Sequence, residues 1–125
     1  MRRPLSTITL PIELTNGNQG RGFHWAKAAK RRKDYENIMR LLGYECREPL
    51  DFPVDLHITR LMTKRQRPWD ADSIGRGSVK ELIDSCVACH WFVDDGPKWI
   101  RSVRYSQRRS NDGKTGVEIQ IFKAE

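Results

Sequence analysis

Several stretches of the chain alternate apolar and polar residues with a period of two, and between them lie stretches whose apolar residues recur with the period of a helix. This interleaving restricts the fold more than any other feature, because strands and helices expose different faces that must meet in one core. From Thr7 to Thr15, Ile8, Leu10, Ile12 and Leu14 fall on one side and Thr7, Thr9, Pro11 and Glu13 on the other, which predicts a half-buried strand. Pro11 has no N–H to give to a ladder, so this strand is expected at an edge or bulged. Phe52 to Met62 alternates likewise, with Phe52, Val54, Leu56 and Ile58 opposed to Asp55, His57 and Thr59. Ile100 to Arg108 reads as a third strand, and Val117, Ile119 and Ile121 alternate with Glu118 and Gln120 in a fourth. The Asp112-Gly113 turn signal predicts that the last two strands form a hairpin.

One helix is expected from His24 to Leu42, stopped by Gly43, with Ala28, Tyr35, Ile38, Met39 and Leu42 facing the core. A second is expected from Ser78 to Trp91, with Val79, Leu82, Ile83, Cys86, Val87 and His90 as its apolar stripe. Ser78 and Glu81 have the spacing of a capping box. Asn16 to Gly22 reads as a polar loop, either a plain connector or a phosphate contact. A chain of 125 residues is enough for one core, so residues 1–125 are expected to form a single α+β domain. Its architecture is predicted as one sheet of about four strands with two packed helices, in a strand order the periods leave open.

The net charge is +7, from 23 Lys and Arg against 16 Asp and Glu. The positive charge is grouped: Lys27, Lys30 and Arg31 near the start of the first helix, Lys64, Arg65 and Arg67 before the acidic segment, then Arg76, Lys98 and Arg101. A basic domain of this size favours a polyanion, nucleic acid above all, and these residues are the expected contacts. No run approaches the ~18 apolar residues that span a bilayer, so no membrane partner is expected. Arg2-Arg3 is followed by Pro4 rather than by the apolar stretch of an export signal, and three cysteines form no even disulfide framework. Both point to the cytoplasm.

Within that positive chain, four carboxylates bracket the second helix. Asp70 and Asp72 precede it, two residues apart, so that both leave one side if the segment stays extended; Asp94 and Asp95 follow it. Lys80 and Asp84 lie i and i+4 on one helix face. Carboxylates gathered at one point repel unless a cation lies between them, and Mg²⁺ takes hard oxygen ligands while keeping positions open for phosphate. The competing reading is an acidic cap and an acidic turn, both common uses of Asp.

The ordered pattern, Asp70-Ala71-Asp72-Ser73, then Lys80-Glu81-Leu82-Ile83-Asp84, then Asp94-Asp95-Gly96-Pro97-Lys98-Trp99-Ile100, resembles the RusA family of Holliday-junction resolvases, phage and prophage members in particular. The likeness extends more loosely to Leu10-Pro11, the amide-rich loop and His24-Trp25. It implies a RusA-like fold, a mixed sheet with two helices, and a homodimeric endonuclease of recombination and repair, which nicks four-way DNA junctions in symmetric pairs with Mg²⁺ or Mn²⁺. Position by position it implies metal-binding, catalytic carboxylates at Asp70, Asp72 and Asp95, an essential lysine at Lys80, and supporting acidic positions at Asp94 and Asp84. Ser73 stands where the family usually has Asn, and the interval from Asp72 to Lys80, with Gly75 and Gly77, is longer than in the shortest relatives. Two other classes stay open: a basic protein that grips branched DNA without cutting it, and a metal-dependent nuclease on another nucleic acid. Cys86-Val87-Ala88-Cys89-His90 has the haem-attachment spacing, and with Cys46 could suggest zinc, but it falls inside the apolar helix stripe, so packing is the expected use. His24 and His57 are expected to be structural, and Trp69, Trp91 and Trp99 to pack near the acidic cluster.

Overall fold

Four strands and three helices follow one another as β1 (Ser6–Leu10), α1 (Trp25–Leu41), β2 (Val54–Met62), α2 (Ser73–Arg76), α3 (Val79–Ala88), β3 (Ile100–Arg109) and β4 (Gly116–Lys123). They belong to a computed structural model that describes residues 2–16, 25–70 and 72–125, together with the backbone alone at residue 25. His24 and most of the amide-rich loop lie outside the described residues. The four strands make one mixed sheet in the order β1-β4-β2-β3. β1 and β4 are antiparallel, β4 and β2 antiparallel, and β2 and β3 parallel. The α+β architecture is therefore as expected, with α2 as an addition.

The predicted hairpin does not form. β3 and β4 flank β2 on opposite sides and share no ladder. Gly113 does turn the chain, with φ +73°. The loop it serves crosses the end of β2, where the Ser110 N–H donates to Met62 O at 2.9 Å and the Thr115 hydroxyl donates to Leu61 O at 3.5 Å. A turn signal fixes where the chain reverses and leaves open which strands then pair.

β1 is an edge strand, as Pro11 required, but it ends at Leu10 rather than Thr15. Leu10 pairs with Val117 at the last rung, and its carbonyl passes so close to Gly116 that a Cβ there would lie 2.9 Å from it. Past Pro11 the chain leaves the sheet, yet Ile12 and Leu14 keep their alternation and bury in the core.

The helices cover one face of the sheet. Leu56 and Ile58 of β2, Val117, Ile119 and Ile121 of β4 and Leu10 of β1 meet Tyr35 and Met39 of α1, Ile74 of α2 and Val79, Leu82 and Cys86 of α3 in one core. α1 stops as the sequence predicts: Gly43 takes φ +82°, its N–H donates to Arg40 O, and Tyr44 N–H donates to Met39 O. Leu42, expected in the core, is half exposed because it sits in this turn rather than on the helix face. α3 ends three residues before the predicted Trp91, in the same hydrogen-bonded closure, with Trp91 N–H on Cys86 O and His90 N–H on Val87 O. His90 takes the place of the glycine, at φ 62°, and points to solvent instead of completing the apolar stripe.

The predicted capping box is absent. Ser78 turns its hydroxyl to Thr15, whose N–H donates to Ser78 Oγ at 2.8 Å, while Tyr35 OH donates to the same oxygen at 3.0 Å. Ser78 N–H donates to Thr15 O at 3.1 Å, so this serine ties the segment after β1 to the start of α3. Glu81 instead accepts from Arg31 of α1 at 2.7 Å.

Candidate functional site

β2, α2, α3 and β3 form a βαβ unit, and the candidate residues sit along β3 on its helix-covered side. Trp69 anchors the approach. Its N–H donates to Gln107 Oε1 at 3.0 Å, Gln107 Nε2 donates to Trp69 O at 2.7 Å, and the Arg60 guanidinium stacks on its ring at 3.7 Å. Asp70 therefore begins beside the far end of β3. It does not continue in an extended strand: Ser73 N–H donates to Asp70 O at 3.0 Å, and Asp72 has φ −85° and ψ −13°, the first bend into α2. The two carboxylates are thus not placed by strand alternation, as the sequence reading supposed. Asp72 pairs with Arg76 at 3.3 Å, both largely exposed.

Ser73 is fully buried, and its hydroxyl has no hydrogen-bond partner. Gly75 then lets α2 lie on β3, since a Cβ would stand 3.0 Å from the Tyr105 ring.

A cavity of about 270 Å³ opens where α2, α3 and β3 meet, lined by Gly75, Lys80, Ile83, Asp95, Val103 and Tyr105 among others. Lys80 leaves the first turn of α3 into it. Asp95 arrives from the turn before β3 and also borders a second, wider concavity with Asp84, Asp94, Arg32 and Glu36. The Asp84 carboxyl is raised above its ordinary value, first by burial and then by the negative charge of Asp95, with which it lines one concavity; Lys80 opposes both. Lys80, Asp84 and Asp95 are therefore brought together, with Asp94 adjoining.

Asp70 and Asp72 stay apart from that group. Neither lines the cavity of Lys80 and Asp95 or the concavity shared by Asp84, Asp94 and Asp95. Among the described residues, no three His, Cys, Asp or Glu side chains are gathered closely enough to hold a metal together. The donors that are paired, Asp84 and Asp95, are hard oxygens with a raised carboxyl between them, which fits Mg²⁺, an ion often held by one or two carboxylates and several waters.

The expected basic contacts fall into two kinds. Lys30 pairs with Asp34, Arg31 with Glu81, Arg76 with Asp72 and Arg101 with Asp55, so these charges are already answered within the chain. Lys27, Lys64, Arg65 and Arg67 are exposed, and Lys98 lies over the Trp99 ring at 5.1 Å. The cysteines are free, with Cys86 and Cys89 buried as packing residues. Tyr105 is the lining residue that the sequence reading missed. Its parity on β3 was visible, but the face it shares with Lys80 depends on the β2–β3 register, which pairs it with Ile58.

No protein-family model and no curated protein matches this chain.

Proposed function

We propose that the protein is a metal-dependent, structure-specific DNA endonuclease that acts on four-way junctions as a two-fold dimer. The observation that carries this reading is the facing of Asp84 and Asp95 beside Lys80 in a chain of net charge +7. Asp95 and Asp84 would hold Mg²⁺ or Mn²⁺, while Asp70 and Asp72, which the RusA resemblance also marks as metal ligands, stand outside this pair. Bound there, the ion would polarise the scissile phosphodiester and supply a hydroxide at neutral pH. Lys80 answers the charge that develops on the phosphate. Tyr105 and Ile83 wall the cavity against bulk water. The order of these residues is also the one that resembles the RusA family, and a two-fold dimer presents two equivalent sites to a junction of approximate two-fold symmetry.

A second reading, a protein that grips branched DNA without cutting it, is favoured by the Asp72–Arg76 ion pair, which occupies one of the expected metal ligands. One experiment separates the two. A synthetic four-way junction is incubated with the protein and Mg²⁺ or Mn²⁺, beside Asp95→Asn and Asp72→Asn variants and a panel of flap and RNA substrates. Symmetric nicking that both variants abolish supports the nuclease. Binding without nicking by the wild type, or full cleavage by Asp95→Asn, refutes it. A monomeric mass by light scattering at assay concentration refutes the dimer.

A further inference from the structure

The helices leave the other face of the sheet open, and among the described residues no element packs on it. It is almost entirely polar. Thr7 and Thr9 of β1, Glu118 and Gln120 of β4, His57 and Thr59 of β2 and Ser102, Arg104, Ser106 and Arg108 of β3 share it by register. A sheet face that is merely solvated carries charges answered by neighbours, and most here are. Asp55 accepts from Ser102 Oγ at 2.7 Å, Arg101 Nη2 at 2.8 Å and Arg2 Nη1 at 3.2 Å. Arg108 pairs with Glu118 at 2.8 Å. His57 and Thr59 both bond the Ser106 hydroxyl, at 2.8 and 2.9 Å.

Arg104 is the exception. It is exposed, has no hydrogen-bond or carboxylate partner among the described residues, and lines a concavity of about 260 Å³ together with Arg2, Asp55, His57, Ser102 and Phe122. Four arginines, Arg2, Arg101, Arg104 and Arg108, meet three carboxylates, Asp55, Glu118 and Glu125, so the face is net positive with its unanswered charge at a hollow.

The geometry points to this open face as a second nucleic-acid contact that takes the phosphodiester backbone, with Arg104 as its anchor. Two physical arguments select that occupant. A second copy of the chain would set one arginine-rich face against another, and the face offers little apolar area to offset the repulsion. Base stacking needs free aromatic surface, and Phe122 is already covered by the Arg2 guanidinium at 5.1 Å. Phosphate oxygens match what remains: a guanidinium at a hollow whose neighbouring hydroxyls, Ser102 and Ser106, are already engaged within the face and leave Arg104 as the open donor. β3 is an edge strand, so DNA arms diverging from a branch point can pass on both sides of it, one toward Lys80 and Asp95 and one toward Arg104. The inference shares with the proposed function the premise that the partner is nucleic acid, and it needs nothing from the acidic residues.

Binding of a labelled four-way junction, followed by fluorescence anisotropy in EDTA over a range of KCl concentrations, tests it without cleavage. Arg104→Gln is expected to weaken binding about tenfold near 0.1 M salt and to lower the salt slope by about one. Arg104→Glu is expected to weaken it further, with thermal unfolding unchanged for both. Arg47→Gln, which removes an exposed charge from the connector before β2, serves as the control and is expected to bind like the wild type. Wild-type affinity and slope in both Arg104 variants overturn the inference and leave the proposed function standing. An equal loss in Arg47→Gln reduces the effect to net charge and also overturns it. Failure of the wild type to bind any DNA removes this inference and the proposed function together.

Discussion

Asp84→Asn is expected to make the metal-free protein more stable while removing a residue of the candidate site. Asp84 faces Asp95, and both burial and that neighbouring charge raise its pKa. Two unit charges 4 Å apart repel by about 4 kcal/mol at an effective dielectric constant of 20. Asp95 is exposed and Lys80 stands opposite, so solvent screening leaves about 1 kcal/mol of this. For a chain of 125 residues, that corresponds to about 4 °C in Tm. The sign follows from linkage. A carboxyl whose folded pKa is raised binds its proton more tightly in the folded state, so its favourable contribution is present at low pH and is lost as pH rises through the folded value. The gain from Asp84→Asn should therefore appear at pH 8 in EDTA and vanish near pH 3, where the carboxyl is protonated in both states. Adding 10 mM Mg²⁺ should reverse the ranking: an ion held with a Kd of about 1 mM adds roughly 1.4 kcal/mol to the wild type and less to the variant. Differential scanning fluorimetry across these three conditions gives the answer. A variant no more stable than wild type at pH 8 in EDTA, or a gain that persists at pH 3, refutes the argument.

Three further expectations concern the scaffold. His90→Gly should stabilise the protein by about 1 kcal/mol in urea denaturation, because glycine takes the left-handed φ of this helix stop without strain. Gly116→Ala should destabilise it by about 2 kcal/mol, since the new methyl meets the Leu10 carbonyl at 2.9 Å and backbone on both sides resists the shift. The Asp55 carboxyl is held below the usual range by the Ser102 hydroxyl and then by Arg101 and Arg2, so it contributes stability above the unfolded carboxylate pKa that is lost as pH falls through the folded one. Asp55→Asn should accordingly lower stability at pH 7 and flatten the acid limb of the urea midpoint against pH; an unchanged limb would count against the clamp.

Alternation and helical period located all four strands and both long helices, because burial on one face is written into local spacing. Gly43 gave the end of α1 for the same reason: a left-handed residue is chemically recognisable. His90 does the same work without the glycine, so the end of α3 was invisible. Ser78 carried a capping signal, but its hydroxyl is bonded to Thr15 and Tyr35, partners 63 and 43 residues away that no local rule can see. The site divides in the same way. Lys80 and Asp84 were placed on one helix face by their spacing, and Asp95 joins them. The assumed convergence of Asp70 and Asp72 rested on an extended segment, whereas the chain bends at Asp72 into a helix of four residues.

The strand order has a consequence for how the molecule is made. β1 is complete within the first ten residues, yet its only partner is β4, which ends at Lys123. During synthesis, α1, β2, α3 and β3 can assemble while the N-terminal strand has no edge to join. The sheet closes only when β4 slips between β1 and β2, so loss of β4 would strip away two strands rather than one. The Arg2 contacts with Asp55 and with the Lys123 carbonyl then tie the segment before β1 to β2 and to the end of β4, a latch that can form only once β4 is in place.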